Sequence, residues 1–192
     1  TNDYLSRQWQ RDDGASMRID RCLIDANWGT STDLVYQLCR QSKYGAILYP
    51  SHGRYVGASS KPFAEYRKKQ GDLLGHNWRI PSVHGKRAVR HIVYDTNYWK
   101  SFIHSRLAVV IGDKGCLSIF GRKPQTHELF AEHLTAEYKV KTIGRGRIVD
   151  EWKLKPQASD NHWFDCLVGC AVGASIQGAV LPGTQDIEKR QT

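Results

Sequence analysis

A chain of 192 residues is long enough for one domain with a sizeable core, and 40% hydrophobic with 24% charged residues is ordinary for a globular protein. A formal net charge of +9, from 28 Lys and Arg against 19 Asp and Glu, favours polyanionic partners. Nucleic acid ranks ahead of membrane, because no basic amphipathic helix stands out. Five cysteines, at positions 22, 39, 116, 166 and 170, are odd in number and form no C-x-x-C pair. They predict free thiols in a reducing compartment, three of them inside apolar runs as buried thiols are. The apolar run after Asp165 is broken by glycines and is shorter than the about 20 residues a spanning helix needs. With no signal-peptide pattern at its start, the sequence predicts a soluble intracellular protein.

In chain order, residues 1–16 form a polar lead-in. "MRIDRCLID" (17–25) reads as a strand ending on Asp25, and "ANWGTSTD" follows with turn and helix-cap chemistry. Leu34, Val35, Leu38 and Cys39 then predict one buried helical stripe, and "GAILYP" (45–50) the next strand. A strand–helix–strand unit of this kind predicts a parallel pair with a right-handed crossover. Residues 51–88 read as a long basic loop region, rich in Gly, Ser, Lys and Arg. "VRHIVYD" (89–95) alternates and ends on Asp95; a helix is expected over 97–107, basic on one face through Lys100 and Arg106. "CLSIF" reads as a short strand, "HELFAEHLTAEY" as a helix, and "KVKTIGRGRIVDEWKLK" (139–155) as a basic hairpin turning at Gly. The final helix starts near Asp160 or Asn161 and ends before Gly178. No repeat and no Walker-type phosphate loop is present, which excludes a nucleoside triphosphatase in this piece.

From His162 to Gln177 the single formal charge is Asp165. Offsetting the helix macrodipole is worth ~0.3–1 kcal/mol, too little against burial of an ionised carboxylate. The small neighbours Gly169, Ala171, Gly173 and Ala174 predict a helix lying close against a sheet, with the carboxylate held at the strand ends. Asp25 ends an apolar strand, where α/β sheets place functional side chains; a turn-forming role in "DANWG" is its alternative. Converging carboxylates repel unless a divalent cation inverts that logic, and Mg²⁺ combines few carboxylates with waters and a phosphate. Acids at strand ends and a basic surface together point to metal-assisted phosphodiester hydrolysis. A zinc site at His162, Cys166 and Cys170 is excluded for all three at once, because the outer pair lies about 12 Å apart along a helix.

Four segments carry a family likeness: "LIDANWGTSTDLVYQLCRQ" (23–41), "VYDTNYWKSFIHSRL" (93–107), "HLTAEYKV" (133–140) and "DEWKLKPQASDNHWFDCLVGCAVGAS" (150–175). "L-T-A-E" and "N-x-x-x-D-C" are the most telling. The chain resembles the nuclease region of the large terminase subunit of lambda-like tailed double-stranded DNA bacteriophages. That resemblance implies an α/β, ribonuclease H-like fold, a mixed sheet with flanking helices, and acidic residues binding two Mg²⁺ or Mn²⁺ ions. It implies cutting of concatemeric double-stranded DNA in the bacterial host cytoplasm, beside an upstream ATPase, with a small terminase subunit and a portal protein as partners. Asp25 matches the acid ending the strand before the first crossover helix, Asp165 the acid of the C-terminal helix, and Asp95 a recurrent acid of this branch. His162, three residues before Asp165 on the same helical face, matches the place of a histidine that assists the metal in some terminases; a simple helix-start residue is its alternative.

The family's first catalytic acid sits in a "G-[IV]-D" pattern on an earlier strand; nothing before Asp25 reads that way, with Asp3, Asp12 and Asp13 in a polar segment and Asp20 inside the matched strand. One partial nuclease domain over 1–192, lacking its first strands, is therefore expected. DNA contacts are expected at Lys86, Arg87, Arg90, Lys139, Lys141, Arg145 and Arg147, in basic loops beside the site. The rival readings are an inert DNA-binding or docking module that retains the fold, and another ribonuclease H-like enzyme such as a transposase or resolvase.

Overall fold

The structure, a computed structural model, describes residues 2–85, 88–121, 123–158 and 160–182. The chain forms two compact units: the first from residues 1–53, 68–74 and 79–94, the second from 54–67, 75–78 and 95–192. The architecture is α/β, with a five-stranded mixed sheet and flanking helices, consistent with the ribonuclease H-like expectation.

In the first unit, helix α1 (Asn2–Leu5) precedes a minimal hairpin of β1 (Trp9–Gln10) and β2 (Ser16–Met17). The polar lead-in is therefore structured, and Leu5 enters the core beside Cys39 and Leu48. Strand β3 (Cys22–Asp25) pairs in parallel with β4 (Leu48–Arg54) across helix α2 (Thr32–Gln41), as the strand–helix–strand pattern predicts. The register sets Asp25 opposite Ser51. The predicted α2 stripe needs correction: Cys39 is buried and Val35 packs beside it, whereas Leu34 and Leu38 are exposed. Four apolar residues at i, i+1, i+4 and i+5 span more arc than this short helix buries.

Residues 51–88 are not one loop. They hold the end of β4 and two three-residue strands, β5 (Leu73–Gly75) and β6 (Trp78–Ile80). With β7 (Ile92–Asp95) these complete the sheet in the order β3-β4-β7-β6-β5. Strands this short leave no readable alternation. Their turn shows its chemistry in two places: Asn77 has φ 49°, and a Cβ on Gly75 would lie 2.2 Å from the Trp78 indole.

The second unit is built on α3 (Thr96–Leu107), whose residues 97–103 are all buried. Buried polar groups on such a helix are normally satisfied internally, although Trp99 Nε1 has no hydrogen-bond partner among the described residues. Asn97 is satisfied by donating to Val56 O (3.2 Å) and accepting from Trp152 N (2.9 Å), and Ser101 accepts from the Trp152 indole (2.9 Å). The expected basic face is corrected here, since Lys100 points inward. Helix α4 (Glu128–Thr135) stops early with Ala136 as its C-cap, and "EY" opens strand β8 (Glu137–Gly144) instead of continuing the helix. Strand β9 (Arg147–Leu154) pairs with β8 through Arg145 (φ 51°) and Gly146 (φ 71°), the two left-handed residues a tight hairpin turn requires. "CLSIF" forms no strand. Helix α5 (His162–Ile176) packs Phe164, Val168 and Val172, one stripe at four-residue spacing, in a unit where its extensive contacts are with α3 and α4. It also meets strands, with Phe164 5.7 Å from the Trp152 ring of β9 and Ser175 accepting from the Trp78 indole of β6 at 3.0 Å, and Cys166 and Cys170 are exposed. None of the five cysteines is in a disulfide. No helix among the described residues is long and apolar enough to cross a membrane.

Candidate active site

Three elements of the second unit deliver charged groups to one point. Lys100 comes from the middle of α3, Glu137 from the first position of β8, and Asp165 from the first turn of α5. The Lys100 ammonium lies 2.5 Å from Glu137 Oε1 and 3.0 Å from Asp165 Oδ1. Asn161 Nδ2 donates to the same Glu137 oxygen. Side-chain exposure falls from 46% at Asp165 to 10% at Lys100 and 4% at Glu137, so the cluster runs from a solvent-facing carboxylate to a buried one. A buried carboxylate persists only with compensation, which the ammonium and the Asn161 amide supply. The Phe164 ring, 5.3 Å from Lys100 Nζ, closes the apolar side.

Asp165 is thus neither fully buried nor alone, and the burial cost expected from its apolar run is smaller than the sequence implies. Glu137 escapes a reading by periodicity because "HELFAEHLTAEY" looks helical to its end. The signal was nonetheless present, since Glu137 is the acid of "L-T-A-E". Nothing in the sequence marks Lys100.

Alternation along β8 places Glu137, Lys139 and Lys141 on one face, with the lysines about 7 and 13 Å further along the strand. That face borders a groove of about 760 Å³ between α3 and the hairpin, lined among others by Ser101, His104, Arg106, Lys139, Lys141 and Asp150. Lys139 pairs loosely with Asp150 at 3.4 Å. Burial holds the His104 imidazole below its ordinary pKa, and its Nε2 lies 3.1 Å from Leu134 O. Of the other expected DNA contacts, Arg90 is exposed and Arg145 pairs with Glu65 at 3.3 Å. Arg147 turns back on its own unit and donates to the carbonyls of Gly57, Ala58 and Ser60 (3.3, 3.1 and 2.6 Å). Lys86 and Arg87 lie outside the described residues.

Asp25 belongs to the first unit. It is exposed at the end of β3, and its carboxylate accepts from Asn27 N at 3.1 Å, the turn geometry of "DAN". Asp25 and Asn27 line an open pocket of about 440 Å³ with Trp28, Thr30 and Ser31. Asn27 is oriented in turn: its amide donates to Gly53 O (3.0 Å), so its oxygen accepts from His52 Nδ1 (2.9 Å). His52 Nε2 in turn lies 2.9 Å from the Tyr36 hydroxyl.

Asp95 caps α3, its carboxylate accepting from Tyr98 N at 3.2 Å. It is 6% exposed, and burial pushes its pKa from 3.8 up to about 7, against the lowering effect of the Tyr98 and Asn97 amides. Below pH about 4 both folded and unfolded states carry the proton. Between about 4 and 7 the unfolded chain ionises first, so Asp95 costs stability progressively, and the cost levels off above about 7. Asp95→Asn keeps the cap and removes the charge. Its melting temperature is expected to equal that of the unmodified protein near pH 4 and to exceed it at pH 8, by an increment on the order of 2–4 kcal/mol in stability. Thermal melts across that range check this; a difference independent of pH would show that the buried charge is not the cause.

His162 is exposed, with its ring nitrogen 3.0 Å from Asp160 Oδ1. No group of three or more His, Cys, Asp or Glu among the described residues forms a ready metal cage. The donors that do converge are hard carboxylate oxygens around a cation, a set that suits Mg²⁺ or Mn²⁺ over softer metals.

The family model described as terminase large subunit gpA, endonuclease domain, matches residues 1–185. The chain belongs to that family. No curated protein and no solved structure matched it.

Proposed function

We propose that this chain is a divalent-metal-dependent endonuclease module that cuts concatemeric double-stranded DNA during phage genome packaging. The observation that carries the reading is the convergence of Glu137 and Asp165, one from each of the two most telling family segments, on a single cation. Glu137 and Asp165 would hold Mg²⁺ or Mn²⁺, and Asp25 is proposed, within the first unit, as a metal ligand from its place in the first matched segment. A bound ion supplies an activated water and neutralises charge at the scissile phosphate. Asn161 orients the Glu137 carboxylate by donating to it. Lys139, Lys141 and Arg106 hold the DNA backbone along the groove, setting its position without reading its sequence. Asp95 serves as the cap of α3 in this reading. The ATPase part of the large subunit, the small subunit and the portal are the partners proposed, in the host cytoplasm.

The test is Mn²⁺ titration by calorimetry together with a plasmid-nicking assay. The unmodified chain is expected to bind Mn²⁺ and to nick DNA only in its presence. Glu137→Gln, Asp165→Asn and Asp25→Asn each remove a carboxylate charge and are expected to weaken binding and cleavage together, with the fold intact by circular dichroism. DNA binding that persists with no Mn²⁺ binding at all would favour the rival, an inert docking module that keeps the fold.

A further inference from the structure

Resting on the metal-site reading above, we infer that Lys100 is an internal placeholder cation, which holds Glu137 and Asp165 in the metal-free protein and is displaced when a divalent ion binds them. Its ammonium already lies where positive charge is needed, 2.5 Å from one carboxylate and 3.0 Å from the other. It is no surface lysine caught by chance: α3 is buried around it, and its side chain is 10% exposed. A divalent ion and an ammonium cannot share those oxygens without mutual repulsion, which is least screened on the Glu137 side, where the carboxylate is 4% exposed. One must leave.

The flexible four-carbon stem lets the ammonium withdraw, whereas the planar fork of an arginine would resist. The Phe164 ring face already lies 5.3 Å from the ammonium in the ion-paired state, a cation–π contact that helps hold the charge there. Apparent metal affinity is then the intrinsic affinity reduced by the fraction of molecules whose carboxylates are free of Lys100. In the metal-free state the same ion pair keeps a buried glutamate compensated. The site would therefore stay ordered but inactive until an ion arrives in sufficient concentration.

Lys100→Met, close in shape and without the charge, tests this in the full chain. Its metal-free melting temperature is expected to fall, its Mn²⁺ affinity by calorimetry to rise about tenfold or more, and the Mn²⁺-induced gain in melting temperature to exceed that of the unmodified protein. Mn²⁺ binding by the unmodified protein with equal or weaker binding by Lys100→Met would overturn the placeholder and leave the metal site standing. Absence of Mn²⁺ binding in both would overturn the two together. Should Lys100→Met fail to fold, nuclear magnetic resonance of the Lys100 ammonium in the unmodified protein decides. The signal, protected in the ion pair, is expected to shift and exchange with solvent at saturating Mg²⁺. An unchanged, protected signal at saturation would overturn the inference.

Discussion

Glu137→Ala is expected to lower the stability of the metal-free protein by about 2–4 kcal/mol, or about 4–16 °C in melting temperature for a chain of this size. The reasoning starts from the partner left behind. Lys100 keeps Asp165 at 3.0 Å, but Asp165 is half in water, so the ammonium loses the closer and more buried of its two counter-charges. Asn161 Nδ2 loses its acceptor as well. Because the penalty comes from an orphaned charge, removing both charges should relieve it. Glu137→Leu combined with Lys100→Met is expected to recover most of the loss, as buried ion pairs replaced whole by apolar groups often do. A double variant as unstable as the sum of its parts would place the cost in packing and not in electrostatics. Denaturant titrations of the three variants form the cycle that separates them.

DNA affinity is expected to respond most to charge on the β8 face. Reversing Lys139 and Lys141 to Glu turns two attractive groups of the groove into repulsive ones, beside Asp150 which is already negative. If each lysine neutralises one phosphate, each contributes about 0.9 to the slope of log affinity against log salt, so the double variant should lose about 2 from that slope. At low salt the affinity should fall by a factor on the order of 10–100, equally on unrelated duplexes, because phosphate contacts carry no base information. Fluorescence anisotropy across a salt series reads both quantities. An unchanged slope would mean that the DNA path runs over other basic residues, Arg90 among them.

The sequence by itself determined the parts of this protein that depend on local pattern. The β3–α2–β4 parallel unit was readable because turn chemistry separates two apolar runs of strand length. The β8–β9 hairpin was readable because "IGRGR" places Gly146 where a left-handed residue is required, and α5 because an apolar run of helix length starts after Asp160 and Asn161 and stops before Gly178. Four matched segments in order gave the family, since spaced motifs survive where no single one is specific. Asp25 and Asp165 stood out for the same local reason: each is a charge at the edge of an apolar run.

Tertiary structure decided what those charges meet. Leu34 and Leu38 look like core in an amphipathic stripe, yet which edge of a stripe is covered depends on what packs there, and here Cys39 and Val35 face the core. Residues 51–88 read as loop because β5 and β6 are three residues each, and strands that short are stabilised by their neighbours in the sheet rather than by their own alternation. Lys100 looked like surface on a basic helix face, but α3 is buried on all sides. Its inward position follows from a glutamate 37 residues later in the chain, which no periodicity within α3 encodes. Glu137 reached that position only because α4 ends at Thr135 and β8 begins at once, turning the last acid of a helical pattern into the first residue of a strand. Long-range ion pairs of this kind couple elements whose sequences are written independently, so the pairing exists only in the folded chain.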